Sequence, residues 1–314
     1  FKELDMARPK VGIVGAGNVG ASAAFMLLKN DVCDVVLSDI VEGLPQGKAL
    51  DMSECRQIDT HDAWSIGTNR VEEMRDCSVV VITAGVPRKP GMTREQLLDI
   101  NTGIVKNVCS ALKSVGAAPI LIVVTNPLDV MTYAALKITG FPRERVLGMA
   151  GVLDSNRFAH FVAEKLQVSP KDISAMVMGS HGDTMVAMPR FTTVAGIPIT
   201  ELLSKEEVEK LCARTANGGA EIVNYLKTGS AYYAPGSAIA AMVEAILHDS
   251  NRVMPCSVLL RGEYGLNDVV VGVPVKLGEG GVKQIVPLKL TSEEDAALKK
   301  SASVVAENVK LLKL

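Results

Sequence analysis

Two arginines stand six positions apart in Arg88-Lys89-Pro90-Gly91-Met92-Thr93-Arg94. A guanidinium matches a carboxylate through two parallel, planar hydrogen bonds, so a loop with two of them can clamp a small anion. The segment follows an apolar run, Val79-Val80-Val81-Ile82, by way of Ala84-Gly85-Val86-Pro87, and its Pro and Gly residues suit a loop that closes as a lid. Taken alone, it reads better as a solvated basic loop. Further on, Asp154-Ser155-Asn156-Arg157 puts Asp154 and Arg157 on one face of an expected helix, where a plain ion pair is the simpler account. His181 stands in Gly179-Ser180-His181-Gly182-Asp183, a glycine-flanked turn after an apolar strand, and a lone histidine is more often structural than catalytic.

A second constellation concerns phosphate. Gly15-Ala16-Gly17-Asn18-Val19-Gly20 fits G-x-G-x-x-G between an expected strand and an expected helix. Glycines there allow a tight turn, close approach of backbone to a pyrophosphate, and close helix–strand packing, while the helix N-terminus offers unpaired N–H groups. The pattern alone is weak, but Asp39 ends the second expected strand 19 residues past Gly20, where a carboxylate accepts hydrogen bonds from ribose hydroxyls. A 2′-phosphate would be repelled there and no arginine follows at once to receive it. NAD is therefore expected over NADP.

The elements that must carry these residues follow from periodicity. Strands are expected at Lys10–Val14, Asp34–Ser38, Val79–Thr83 and Ile120–Val124, with a weaker one near Trp64–Gly67. Helices are expected around Val19–Lys29, Gln46–Cys55, Arg94–Ser114 and Leu128–Thr139, and then a strand at Arg145–Gly148 leads to a helix at Val152–Leu166. Such alternation implies an α/β fold with a Rossmann-type, doubly wound parallel sheet. Beyond it the pattern changes to hairpin-like strands at Ile173–Met178, Met185–Thr193, Val258–Arg261 and Val269–Val275, with helices at Lys205–Tyr225, Ser237–Leu247 and Ser292–Leu312. The expected organisation is a dinucleotide-binding domain over 1–145, its first six residues an extension, and a second α+β substrate and catalytic domain over 146–314. At the start of one helix, Thr93-Arg94-Glu95-Gln96 reads as a capping box with Gln96 at the third position, which puts Arg94 where a positive charge opposes the helix dipole. A local rule broken in this way is expected where function demands the residue.

Composition excludes several classes. A net charge of −2 gives no basic field for nucleic acid or an anionic membrane. Hydrophobic content of 48% with only 4% aromatics means a core of aliphatic side chains, as in parallel strands covered on both faces. Val11 to Leu28 is uncharged and long enough to be asked whether it spans a bilayer, but its glycines and Asn18 argue for strand, turn and helix. Six cysteines are scattered without a CxxC or a neighbouring histidine, so reduced thiols in a cytoplasmic protein are expected and a metal site is not.

Gly15–Gly20, Asp39, Arg88–Arg94, Thr125-Asn126-Pro127, Leu153–Arg157 and Gly179–Asp183 occur in the order seen in the lactate/malate dehydrogenase superfamily, which the chain resembles from about Pro9 to its C-terminal helix. Asp39-Ile40-Val41-Glu42-Gly43, Ala150–Asp154 and Gly229-Ser230-Ala231-Tyr232-Tyr233 resemble the lactate-dehydrogenase-like branch of the malate enzymes. The resemblance implies an oxidoreductase with NAD as cofactor. His181 would be the general acid/base at the substrate's C2 oxygen, and Asp154 would hold its imidazole and raise its pKa. Arg157 would bind the C1 carboxylate, Arg94 would stabilise charge on the carbonyl oxygen, and Asn126 would orient substrate and nicotinamide. Gly15, Gly17, Asn18, Val19, Gly20, Asp39, Thr83, Ala84, Gly85 and Asn126 would contact the cofactor. A homodimer or homotetramer and a place in the tricarboxylic acid cycle are implied as well.

By the same resemblance Arg88 faces the substituent beyond the keto group, where lactate dehydrogenases commonly carry glutamine. A guanidinium there wants a second carboxylate, so malate and oxaloacetate are the expected substrates, and pyruvate would leave the charge unpaired. Lactate dehydrogenase or a relaxed 2-hydroxyacid enzyme is the nearest alternative. A non-catalytic dinucleotide-binding protein is the alternative of another class, although it would have no need of His181, Asp154 and the arginines together. Lys89 receives no role, and His61, His160 and His248 are expected to be structural or exposed.

Overall fold

The computed structural model describes residues 8–87 and 91–313; the expected extension at residues 1–6 and Arg88, Lys89 and Pro90 of the arginine loop lie outside the described residues. Along the first half run β1 (Lys10–Val14), α1 (Asn18–Lys29), β2 (Asp34–Ser38), α2 (Leu44–Glu54), α3 (Arg56–Asp59), β3 (Ser65–Thr68), β4 (Val79–Ile82), α4 (Arg94–Ser114), β5 (Ile120–Val123), α5 (Leu128–Thr139) and β6 (Val146–Gly148). All neighbours in the order β3-β2-β1-β4-β5-β6 pair in parallel.

Such strands must be apolar throughout because helices cover both faces, and all four residues of β4 are buried. Each Val or Ile so buried contributes about 1.5–3 kcal/mol relative to exposure. The chain steps from β1 to β2 on one side of β1 and returns from β3 to β4 on its other side. A crevice therefore opens at the carboxyl ends of β1 and β4, the place where open α/β sheets bind ligands.

The second half contains α6 (Gly151–Leu166), β7 (Ile173–Ser174), β8 (Val177–Met178), β9 (Val186–Ala187), β10 (Thr193–Val194), β11 (Ile197–Pro198), α7 (Ile199–Leu202), α8 (Lys205–Leu226), α9 (Tyr233–Leu247), β12 (Arg252–Arg261), β13 (Asn267–Gly278), β14 (Gly281–Ile285) and α10 (Ser292–Val309). β12, β13 and β14 continue the large sheet in antiparallel fashion, joined to it by the pair Ser257–Gly148. Among the described residues this makes one mixed nine-stranded sheet with a parallel core.

Two expected strands of this half are broken. Ile173–Met178 divides into β7 and β8, which belong to different sheets. Met185–Thr193 is interrupted by a 3-10 turn over Pro189–Phe191, where a proline without an N–H cannot sustain a ladder. β14 was not expected: it is a short edge strand with the polar Lys283 and Gln284 exposed, reached from β13 through Gly280 and Gly281, both at positive φ.

Candidate active site

The glycine loop lies at the carboxyl end of β1. Gly15 has φ 105°, and a Cβ there would lie 2.6 Å from Thr83 Oγ1 and 2.7 Å from the Ala84 nitrogen. A Cβ on Gly20 would overlap the Gly15 carbonyl oxygen, so helix and loop pack this closely only without a side chain. Gly17 differs, because nothing lies within 4 Å of where its Cβ would be. It is the N-cap of α1 and supplies no side-chain cap to the first N–H groups of the helix, and beside it Asn18 is exposed and Val19 half-buried. A helix end of this kind suits a pyrophosphate.

Asp39 stands beside the glycine loop at the end of β2. Its Oδ2 accepts the Ala16 N–H at 2.8 Å and its Oδ1 accepts the Val41 N–H at 3.0 Å. A carboxylate has about four lone-pair sites, so two bonds leave capacity for ribose hydroxyls. Thr83 and Ala84 close the floor, with Thr83 Oγ1 donating toward the carbonyls of Val14 and Gly15 at 3.1 and 3.0 Å. Gly85, exposed, continues the chain from there. These residues fit a dinucleotide.

His181, Asp154 and Arg157 come together across 27 residues of sequence. His181 Nδ1 lies 2.9 Å from Asp154 Oδ2, and Arg157 donates to Asp154 Oδ1 at 3.2 Å. The side chain of Asp154 is only 2% exposed and that of Arg157 11%, whereas His181 keeps 20%. One buried carboxylate thus serves both a histidine and an arginine. The expected ion pair forms, and its second oxygen orients the imidazole. Burial works against a charged imidazole, but the charge and hydrogen bond of Asp154 outweigh it, with a further contribution from Asp129, and the His181 pKa is raised. Nδ1 is occupied by Asp154, so Nε2 is the ring atom left to exchange a proton with a ligand.

Arg94 is the first residue of α4 and is exposed. The capping box forms: Thr93 Oγ1 accepts the Gln96 N–H at 3.1 Å, and Gln96 Oε1 accepts the Thr93 N–H at 2.9 Å. Asn126 is exposed at the carboxyl end of β5, ahead of a cis peptide bond to Pro127. His160 and His248 are exposed and His61 is buried.

Three supporting residues were not singled out from the sequence. Asp129, in the first turn of α5, is buried; its Oδ2 accepts the His181 backbone N–H at 2.9 Å and its Oδ1 accepts the Ser257 hydroxyl at 2.6 Å. Burial raises its pKa, opposed by these two bonds. Ser301, buried on α10, accepts the Ser180 N–H at 2.8 Å. Asn101, buried on α4, accepts the Val86 N–H at 2.9 Å and donates to the Asn126 carbonyl at 2.6 Å, tying the arginine loop's approach to the end of β5. The one signal available was a polar residue on the apolar stripe of each helix.

Residues 9–148 match the NAD-binding domain of the lactate/malate dehydrogenase family, and residues 151–313 match its alpha/beta C-terminal domain. The chain is 53% identical over 304 residues to a malate dehydrogenase of Pelodictyon phaeoclathratiforme, covering 96% of this chain and 98% of that one. It is 51% identical over 306 residues to a malate dehydrogenase of Roseiflexus, covering 98% and 99%. Among solved structures, the apo malate dehydrogenase of Picrophilus torridus superposes with a TM-score of 0.94 at 44% identity, covering 97% of each chain. A lactate dehydrogenase of Cryptosporidium parvum, complexed with lactic acid and nicotinamide adenine dinucleotide, superposes at 0.93 with 38% identity, covering 97% of this chain and 98% of that one.

Proposed function

The chain belongs to the lactate/malate dehydrogenase family, and from that premise we propose that His181 is the general acid and base of its NAD-dependent interconversion of malate and oxaloacetate. The malate dehydrogenase activity itself follows from relatives about half identical over the full length. The observation that carries the catalytic reading is the shared carboxylate: Asp154 meets His181 Nδ1 on one oxygen and Arg157 on the other.

When bound, NAD supplies the hydride acceptor or donor for the substrate's C2. The chain's own groups do the rest. Gly17 and the N-terminus of α1 hold the pyrophosphate, with Asn18 and Val19 alongside, and Asp39 holds the adenosine ribose. Thr83, Ala84, Gly85 and Asn126 line the way to the nicotinamide. Arg157 binds the C1 carboxylate through its guanidinium while keeping its bond to Asp154. His181 Nε2 takes the proton of the C2 hydroxyl in malate oxidation and returns it to the keto oxygen in reduction. Arg94 stabilises negative charge on that oxygen, and Arg88 pairs with the second carboxylate of the substrate. We place the boundary between cofactor and substrate domains near residue 145.

Further parts of the reading are a homo-oligomer, dimer or tetramer, supported by the exposed apolar side chains Leu50, Ile58, Trp64 and Ile66 around α2, α3 and β3. A cytoplasmic location is supported by six cysteines that are all unpaired. Burial pushes the thiols of Cys33, Cys77, Cys109 and Cys256 up to about 12, which keeps them protonated and inert. Among the described residues no helix is long and apolar enough to cross a membrane.

The test is a comparison of kcat/KM for oxaloacetate and pyruvate with NADH. Oxaloacetate is expected to be preferred, and a preference for pyruvate would overturn the substrate assignment.

A further inference from the structure

We infer that Gly218, in the interior of α8, is a positioning residue for Arg157: the side chain it lacks keeps open the path along which the guanidinium reaches the substrate carboxylate. The inference rests on the reading of Arg157 as the carboxylate-binding residue. Val208, Leu211, Thr215 and Gly218 are the buried residues of α8, spaced three and four apart, so they form the one stripe that packs inward, and α6 lies against this helix. Thr215 turns its hydroxyl back to the Leu211 carbonyl at 2.8 Å. At the next position of the stripe there is no side chain, and Arg157 occupies the space.

A Cβ built on Gly218 would overlap Arg157 Cδ and stand 2.8 Å from Nε and 3.2 Å from Cγ. No backbone demand explains a glycine here, because Gly218 is not among the residues with positive φ, and helix interiors disfavour glycine relative to alanine. Its neighbour Gly219 also has no positive φ but has nothing within 4 Å of where a Cβ would be. The two adjacent glycines therefore separate the cost of the helix from the needs of the site.

If a methyl group were added at Gly218, the arginine would give way rather than the helix. α8 is 22 residues long and fixed at its start by the capping box of Ser204 and Glu207, whereas the arginine side chain rotates about several bonds. Its displacement would also strain the 3.2 Å bond to Asp154 Oδ1, on the carboxylate that orients His181.

The experiment compares Gly218→Ala, Gly219→Ala and Arg157→Lys by steady-state kinetics with oxaloacetate, by fluorescence titration of NADH and by thermal unfolding. Gly218→Ala is expected to lower kcat/KM by about 10- to 100-fold, mainly through a rise in KM for oxaloacetate, with NADH binding unchanged. Gly219→Ala is expected to keep its kinetics and raise Tm by roughly 2 °C. Unchanged KM in Gly218→Ala, while Arg157→Lys raises it, overturns the inference and leaves the role of Arg157 standing. Unchanged KM in Arg157→Lys overturns that role and the inference with it. Should Gly218→Ala unfold too readily for kinetics, Gly218→Ala is expected to cost no Tm when introduced into Arg157→Ala, which lacks the atoms that a Cβ on Gly218 would overlap, and an undiminished loss there overturns the proposed contact.

Discussion

Asp129 and His181 are joined through the backbone: the buried carboxylate of the first accepts the main-chain N–H of the second at 2.9 Å, 52 residues away in sequence. The imidazole of the same histidine meets Asp154 at 2.9 Å. Two buried carboxylates thus hold one residue, one at its main chain and one at its ring. Ser301 adds a third anchor at Ser180. The turn is glycine-flanked, with φ 84° at Gly179 and 126° at Gly182, so its own backbone is permissive and the anchors must fix it.

Replacing Asp129 separates anchoring from charge. Asp129→Ala leaves the His181 N–H and the Ser257 hydroxyl buried without their acceptor, at a cost of about 1–3 kcal/mol in stability. Turnover is expected to fall with it, because the histidine loses its fixed position. Asp129→Asn retains an acceptor for the N–H and can donate to Ser257, so its stability loss is expected to be smaller. Urea unfolding of both variants checks this, and equal losses would mean that the two bonds do not matter as bonds. The pH profile of Asp129→Asn answers a further question: removal of this charge is expected to lower the His181 pKa, and an unchanged profile would show that the Asp129 charge does not act on the imidazole.

Asp154 sets the direction of the pH dependence. The His181 pKa is raised in spite of burial, chiefly by the charge and hydrogen bond of Asp154. With His181 as the proposed acid and base, oxaloacetate reduction would need the protonated imidazole, so its rate is expected to be full below that pKa and lost as pH rises through it. Malate oxidation needs the neutral ring and is lost as pH falls through the same pKa. Asp154→Asn removes the charge, and both limbs are expected to move to lower pH. Measurement of kcat/KM against pH in both directions checks it. A limb for reduction that stays in place would assign the titration to another group.

The sequence made the parallel half of the sheet legible because burial on both faces leaves unbroken apolar runs such as Val79–Ile82 and Ile120–Val123. α4 was legible to the residue, Arg94–Ser114, because its capping box is a local event. Of the motif residues, His181, Asp154 and Arg157 are brought together by the fold, which their separate bland readings did not require. Asp129 and Asn101 were not legible. Each takes its role from partners remote in sequence, the His181 turn and Ser257 for Asp129 and the Val86 loop and the Asn126 carbonyl for Asn101. The expected strand Met185–Thr193 failed for the opposite reason, since a local breaker at Pro189 outweighed an apolar run.

His181→Asn tests the proton-transfer assignment itself. An asparagine preserves polarity and roughly the size of the ring's inner half but cannot exchange a proton near neutral pH. Turnover of oxaloacetate is expected to fall by about 10²- to 10⁴-fold, the usual contribution of a general acid or base. NADH binding, which we propose rests on Gly17 and Asp39, is expected to stay measurable by fluorescence titration. Retained turnover would require a different proton donor.

On the proposed reading, Arg88 carries the choice between substrates that share everything around C1 and C2. Pyruvate and oxaloacetate present the same carboxylate to Arg157 and the same keto oxygen to His181, so neither group can tell them apart. Only the far substituent differs, a methyl group in one and a CH₂-carboxylate in the other. A guanidinium that meets the second carboxylate is paired, and one that meets a methyl group in a closed site is left charged without a partner. A lost charged partner of that kind costs roughly 2–5 kcal/mol, or about 30- to 4,000-fold in discrimination. Arg88→Gln removes the charge from both sides of the comparison. It is therefore expected to lower kcat/KM for oxaloacetate by much more than for pyruvate, and to raise the pyruvate value if the unpaired charge was the barrier. Parallel losses on the two substrates would reduce Arg88 to a general contact and return the source of the preference to the rest of the pocket.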